Sequence, residues 1–507
     1  ASSSASALAA STNTCAALNA DAISVIISEI FKIACRLVLA SSLFAKCRAR
    51  PICPCDARAA KSAIAGENFS FSNSSATAAI EGVRRTKLRV LDLIVGELGV
   101  SQNEVFRLSG PLDHESFLEF TRLNRDDLKA PVFIARTSTA LAEVETSTAP
   151  DILDVMRHRE VLLHHPYDSF STSMQLFLEQ ASNDPNVLAI KQTLYRTSGD
   201  SPIVDALINA AQLGKQVLAV VEIKARFDEQ NNIDWSRKLE EAGVHVVYGI
   251  VGLKTHAKLC LVVRNDGGKL NRYVHIGTGN YNPKTARFYD DLGILSSEPE
   301  LGEDLSRLFN ELSGHSAKHD YSRILVAPHS LRKGLLSRIH RETKNHLEGK
   351  TAWIRLKLNS LLDEEIIGAL YEAADAGVKI EIIVRGICAL QFSTQAQRDN
   401  IKVRSILGRF LEHSRIYYFK NDGAEEYYIG SADVMQRNLD RRVEALVRID
   451  AEKHKDRLRH ILDDSVSENY STWSLLDDNQ WQRKARDFEG NPLVNFQDCF
   501  VEKHNRA

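Results

Sequence analysis

From about Val161 onward, hydrophobic and polar positions alternate between two periods. Val187-Leu-Ala-Ile-Lys-Gln-Thr-Leu194 and Val217-Leu-Ala-Val-Val-Glu-Ile223 are short apolar runs rich in β-branched residues, which predicts buried strands. Between them, Asp200-Ser-Pro202 opens a helix with proline in its first turn, and Gly214 closes it. Trp235 to Ala242 reads as a second helix and Val244-His-Val-Val-Tyr248 as a third strand. A fourth apolar run leaves from Lys254-Thr-His256-Ala-Lys258. Strands and helices in alternation predict an α/β layer architecture.

The same order then recurs. Ala206-Leu-Ile-Asn-Ala-Ala-Gln-Leu-Gly-Lys215 aligns with Ala369-Leu-Tyr-Glu-Ala-Ala-Asp-Ala-Gly-Val378, and the strands after them match as well. His256-Ala-Lys258 is answered by His413-Ser-Arg415, and Gly277-Thr-Gly-Asn280 by Gly430-Ser-Ala-Asp433. An internal duplication accounts for all of these matches and predicts two similar domains facing one cleft. Side chains two apart on a strand share a face. Each pair is therefore expected to offer one imidazole and one positive charge to a single spot. That combination suits attack on phosphorus: the imidazole as nucleophile, the cation against the phosphoryl oxygens.

The front of the chain reads differently. Residues 1–80 are rich in Ala and Ser, and three readings stand side by side: a transit peptide, a fragment junction or unrelated sequence without fixed structure. Leu88 to Gly99 and Glu115 to Leu123 carry helical patterns, which gives a small, partial helical or α+β head over 81–150. The two catalytic-type domains are expected over 151–325 and 326–507. The 507 residues carry a net charge of -2, so a basic site would have to be a local concentration of charge. Five of eight cysteines lie in the first 55 residues with no histidine cluster at zinc-ligand spacing, which argues against a metal knuckle or a disulfide framework. The most apolar stretch, Ala22 to Ala45, contains Glu29, Lys32 and Arg36. Each costs roughly 2.5–3.5 kcal/mol at mid-bilayer, so no membrane span is expected.

The two-half layout resembles the phospholipase D superfamily, whose motif is His-x-Lys, four residues, then Asp. The Asp position holds Val263 in the first half and Lys420 in the second, and Arg415 replaces the second Lys. A phosphodiesterase of that class is thus the weaker alternative. Gly349-Lys350-Thr351 ends like a P-loop, but Lys344 stands where its leading glycine belongs.

More of the text fits one family. His164-His-Pro-Tyr-Asp-Ser-Phe170, Lys191-Gln-Thr-Leu-Tyr-Arg196, Glu222-Ile-Lys-Ala-Arg226, Gly277 to Arg287, Gly408-Arg-Phe-Leu-Glu-His413 and Arg437-Asn-Leu-Asp-Arg-Arg-Val-Glu444 resemble the bacterial-type polyphosphate kinases. The catalytic core of that family is two phospholipase-D-like α/β domains facing one cleft. The resemblance runs from about Val83 to Trp481. It implies reversible transfer of the ATP γ-phosphate to polyphosphate through a phosphohistidine. His256 matches the histidine that is phosphorylated. His413 matches the second essential histidine, a nucleotide-site residue and candidate proton donor. Lys258 and Arg415 would neutralise phosphoryl oxygens, and Tyr289 and Arg385 match nucleotide contacts. Arg196 and Arg226 match positions associated with Mg²⁺. Arginine carries only donors, so both are expected to grip phosphate beside the ion. Asp291, Arg442 and Glu444 are candidates for orienting a histidine.

The resemblance further implies ATP/ADP and polyphosphate as partners, no nucleic acid, a homo-oligomer if the family's N-terminal part is present, and a cytoplasmic location, or an organelle if residues 1–80 are a transit peptide. The family's N-terminal helical domain, which lends an Asn to the nucleotide, has no counterpart in the text. A truncated kinase is the main expectation, and a polyphosphate-binding remnant without activity is a second alternative.

Overall fold

The computed structural model describes residues 95–96, 115–142, 151–195, 201–222, 229–315 and 320–506. The chain divides into two compact units, 1–130 and 131–507. In the first, the helix expected over Glu115–Leu123 is a 3-10 helix, Glu115–Arg122, followed by a second 3-10 turn at Asp126–Leu128. Of the helix expected over Leu88–Gly99, only Val95 and Gly96 are described, and both are helical. No described helix is long and apolar enough to cross a membrane.

The second unit holds two sheets built to one plan. The first half supplies β1 (Val161–His165), β2 (Val187–Leu194), β3 (Gln216–Val221), β4 (His245–Val247), β5 (Lys254–Thr255), β6 (Lys258–Asp266), β7 (Lys269–Gly277) and β8 (Tyr289–Ser296). The second supplies β9 (Ile324–Ala327), β10 (Trp353–Leu358), β11 (Lys379–Val384), β12 (Ile401–Ser405), β13 (Leu411–Glu412), β14 (Ile416–Phe419), β15 (Glu426–Gly430) and β16 (Arg442–Ile449). A hairpin of β17 (Thr472–Leu475) and β18 (Trp481–Lys484) extends the second sheet at β12. The first sheet runs β1-β8-β7-β6-β2-β3-β4, and the second runs β9 on β16, then β15-β14-β10-β11-β12. β2, β3 and β4 run parallel in the first half, as do β10, β11 and β12 in the second, and the antiparallel neighbours β6 and β14 join β2 and β10. The helix Pro202–Gln212 crosses from β2 to β3 as Glu364–Asp375 crosses from β10 to β11. The repeat read in the sequence is thus a repeat of topology.

Two short strands break this separation. β5 pairs in parallel with β16 of the other half, and β13 pairs in parallel with β8. Each half lends the other the two residues that precede its histidine. The core follows the same logic. One apolar cluster belongs to the first half and one to the second. A third mixes Leu259, Ile294 and Leu305 with Ile416, Ile429, Val443 and Leu458. Each such fully buried aliphatic contributes roughly 1.5–3 kcal/mol, so the halves are joined by a shared core as well as by exchanged strands.

Local differences from expectation have simple causes. The helix around Trp235 starts earlier, at Glu229, and Asn232 in its first turn is buried and donates from Nδ2 to the carbonyls of Tyr195 and Glu222. His256 and His413 are not strand residues. Each lies in the short link between its exchanged strand and the long strand after it.

Candidate active site

The backbone of His256 is set from across the sheet boundary. Its N–H and that of Ala257 both donate to the carbonyl of Val443, at 3.0 and 2.9 Å. The next residue, Glu444, is fully buried and places Oε2 2.9 Å from Nδ1 of His256. The other carboxylate oxygen accepts from Nδ2 of Asn438 at 2.6 Å, with Nη1 of Arg442 at 3.7 Å. With Nδ1–H given to Glu444, Nε2 carries the lone pair.

His413 is set by the mirrored device. Its N–H donates to the carbonyl of Asp290 at 3.1 Å, and Nδ1 lies 2.7 Å from Oδ1 of Asp291. Thr278 donates to the same carboxylate at 2.5 Å and accepts from the N–H of Leu292. The Gly-rich turn is needed here: a Cβ on Gly279 would come within 2.5 Å of Asp291 Oδ2.

The cations differ. Lys258 is buried, and its Nζ turns back to the carbonyl of His256 at 2.5 Å. Burial pushes its ammonium far below the usual range, opposed by Glu444. Its nitrogen is thus turned to the backbone rather than held toward the imidazole. Arg415 keeps its charge: burial lowers it, but Asp433, 3.0 Å from Nη2, outweighs that and holds it above the usual range.

Both histidines are neutral. Burial pushes His256 well below 6.5, with further lowering from Lys258, Arg442, Arg415 and His413. Burial also lowers His413, opposed by Asp291 and assisted by Arg415 and Lys258. The mutual effects place all of these groups in one electrostatic cluster. Burial raises Glu444 against Lys258 and Arg442. Burial also raises Asp291, but His413, Thr278 and Arg415 prevail and hold it low.

Around this pair stand aromatic rings and further cations. Tyr289, which opens β8, has its ring centroid 5.2 Å from that of His413. Tyr195 meets the His256 ring edge-on at 5.0 Å, with the ammonium groups of Lys254 and Lys258 over its face. Arg385 follows β11 and donates from Nε to Asn359 Oδ1 at 2.9 Å, while Asn359 donates to the carbonyl of His413. Burial and the nearby Arg415 lower the Arg385 guanidinium, the condition of a cation lacking enough anions. Arg437 is lowered in the same way by burial and Arg442. Beneath His413, Lys357 is buried against Glu412, Asp290 and Ser414, and Asp290 also meets His164 at 2.8 Å.

His256, Lys258, His413, Arg415, Tyr289, Arg385, Asp291, Arg442 and Glu444 thus fall in one neighbourhood. Arg196 and Arg226 lie outside the described residues. Sequence reasoning passed over Tyr195, Asn359, Asp433 and Asn438. All but Asn359 sit inside the matched motifs, so a place before Arg196, at the end of a matched Gly-rich turn or before Glu444 was the available signal.

The family model described as "Polyphosphate kinase C-terminal domain 1" matches residues 151–318, and "Polyphosphate kinase C-terminal domain 2" matches 324–497. Polyphosphate kinase of Streptomyces coelicolor is 57% identical over 417 residues, covering 82% of this chain and 56% of that relative. Polyphosphate kinase of Mycolicibacterium gilvum is 52% identical over 414 residues, with the same coverage. The crystal structure of polyphosphate kinase from Porphyromonas gingivalis matches with a TM-score of 0.72 at 30% identity, covering 86% of this chain and 66% of that one. The chain spans little more than half the length of the curated relatives it matches.

Proposed function

This chain belongs to the polyphosphate kinase family, and on that premise we propose that it carries the phosphoryl-transfer centre for moving the γ-phosphate of ATP to polyphosphate through a phosphohistidine at His256. The observation that carries the reading is the Nδ1 contact of His256 with buried Glu444. It fixes the tautomer that leaves Nε2 nucleophilic, the role a carboxylate plays behind catalytic histidines generally.

In the first step the Nε2 lone pair attacks the γ-phosphorus. An N–P bond forms while the bond from phosphorus to the β,γ-bridging oxygen breaks, and that electron pair leaves on ADP. The positive charge gained by the imidazole is shared along its hydrogen bond to Glu444. In the second step a terminal oxygen of polyphosphate attacks phosphorus, the N–P bond breaks, and the pair returns to Nε2. ADP is an adequate leaving group without a proton, so Arg385 and Tyr289 hold the nucleotide phosphates, and neutral His413, its Nδ1–H given to Asp291, packs against the Tyr289 ring beside them. Arg415, Arg442 and Arg437 spread positive charge over the transferring group, and positioning with electrostatics supplies most of the rate.

Among the described residues, no three His, Cys, Asp or Glu side chains converge as an ion site. Asp291, Asp433 and Glu444 are already engaged by histidine or arginine. Mg²⁺ would enter with the nucleotide and offset phosphate charge there, a role that takes no ligand from these three carboxylates.

The test is product formation. With ATP and Mg²⁺, the protein is expected to release ADP and lengthen a polyphosphate primer, and His256→Ala to do neither. Undiminished synthesis by His256→Ala, or cleavage of a phosphodiester without ATP, would overturn the reading.

A further inference from the structure

The two histidine stations are equal in almost every respect except one. Both imidazoles give Nδ1–H to a carboxylate of the opposite half. Their side chains are similarly exposed, 10% for His256 and 13% for His413. By burial and tautomer alone, either could be the nucleophile. The difference lies at Nε2. Arg415 Nη1 stands 3.3 Å from Nε2 of His413 while donating to that residue's carbonyl at 2.7 Å, with the carbonyl of Thr278 at 3.4 Å. The guanidinium cannot swing away, because Asp433 grips it through Nη2 at 3.0 Å and Nε at 3.3 Å, and Arg415 is 3% exposed. No described residue lies within hydrogen-bonding distance of Nε2 of His256. Its cation, Lys258, spends its single nitrogen on the His256 carbonyl. The position answering Asp433 in the first half is Asn280, which offers no charge to anchor a cation.

We infer that Arg415 is the positioning residue that decides which histidine of the pair is the nucleophile, by holding its guanidinium on the Nε2 lone pair of His413. A guanidinium presents donors from three separate nitrogens and here serves a carbonyl, a ring nitrogen and a carboxylate together, whereas an ammonium presents its donors from one point, and in Lys258 that point lies at the His256 carbonyl. The arginine that departs from the His-x-Lys pattern is therefore what makes a duplicated site asymmetric. The consequence for phosphorylation rests on the phosphohistidine reading above; the masking itself does not.

The test is acylation by diethyl pyrocarbonate near neutral pH, which reports a free imidazole lone pair and needs no phosphoryl transfer. Rates at the two residues are read by peptide mass mapping. In the native protein His413 is expected to react roughly tenfold or more slowly than His256, the cost of a charge-assisted hydrogen bond. In Arg415→Lys the His413 rate should rise to approach that of His256, whose own rate stays put and serves as the folding control. Should Arg415→Lys not fold, Arg415→Met combined with Asp433→Asn removes the cation together with the carboxylate it would strand. Equal rates in the native protein, or a His413 rate unmoved in a folded variant, would overturn the inference. Failure of the kinase reading would show elsewhere, as a native protein that makes no polyphosphate.

Discussion

The region around His256 and the region around His413 are two solutions to one backbone problem. In each, a two-residue strand crosses to the other half's sheet, a carbonyl there accepts the histidine N–H, and the following carboxylate takes Nδ1. Only the side chains differ. The first has Glu444 backed by Asn438, and a lysine turned away from Nε2. The second has Asp291 backed by Thr278, and an arginine locked onto Asp433. Duplication thus supplies the geometry, and divergence at a few positions supplies the roles.

The comparison can be broken most severely at the proposed nucleophile. His256→Ala is expected to lower ATP-dependent synthesis by at least about 10⁴-fold, measured by ADP release. Next comes the tautomer. Glu444→Gln can present an amide N–H to Nδ1 and invert the imidazole, so the phosphorylation rate should fall roughly 10²–10⁴-fold in rapid-quench experiments. On the proposed roles Asp291→Asn disturbs the histidine that does not attack, and should cost only about tenfold, mainly in the KM for ATP. Equal losses from the two substitutions would erase the asymmetry.

Acid sharpens the same contrast. His256 is already neutral, so the rate should hold as pH falls until Glu444, raised by burial, takes up a proton and stops accepting Nδ1–H. Asp291 is held low, so the His413 side should outlast it. Stability changes less abruptly. Burial pushes His275 down to about 3 and His454 to about 4 from the usual 6.5. Folded pKa values below the unfolded value mean that the unfolded chain takes up protons first. Their contribution is therefore intact above pH 6.5 and drains as pH falls toward 4, at roughly 1.4 kcal/mol per pH unit per histidine. Urea midpoints across that range would show it.

Much of this was legible in the sequence because the signals are local. Apolar runs such as Val187–Leu194, the proline and glycine bracketing of the helix Pro202–Gln212, and the repeated His-x-cation pairs all announce themselves within a short window. The exchange of β5 and β13 does not. Each is two residues long and pairs with residues more than a hundred positions away, so neither propensity nor periodicity marks it. Separations of 26 and 54 positions likewise hid the tie between Arg385 and His413 through Asn359. The behaviour of Lys258 was hidden for another reason: spacing reveals which face a side chain starts from, and the nearby backbone carbonyl decides where its nitrogen turns.

The measurement closest to the centre of this account is the site of phosphorylation after one turnover. The protein is mixed with γ-labelled ATP and Mg²⁺ without polyphosphate, quenched in alkali, digested and mapped by mass spectrometry. Phosphate on His256 with none on His413 is the predicted result. Phosphate on His413, or on both histidines alike, would contradict it.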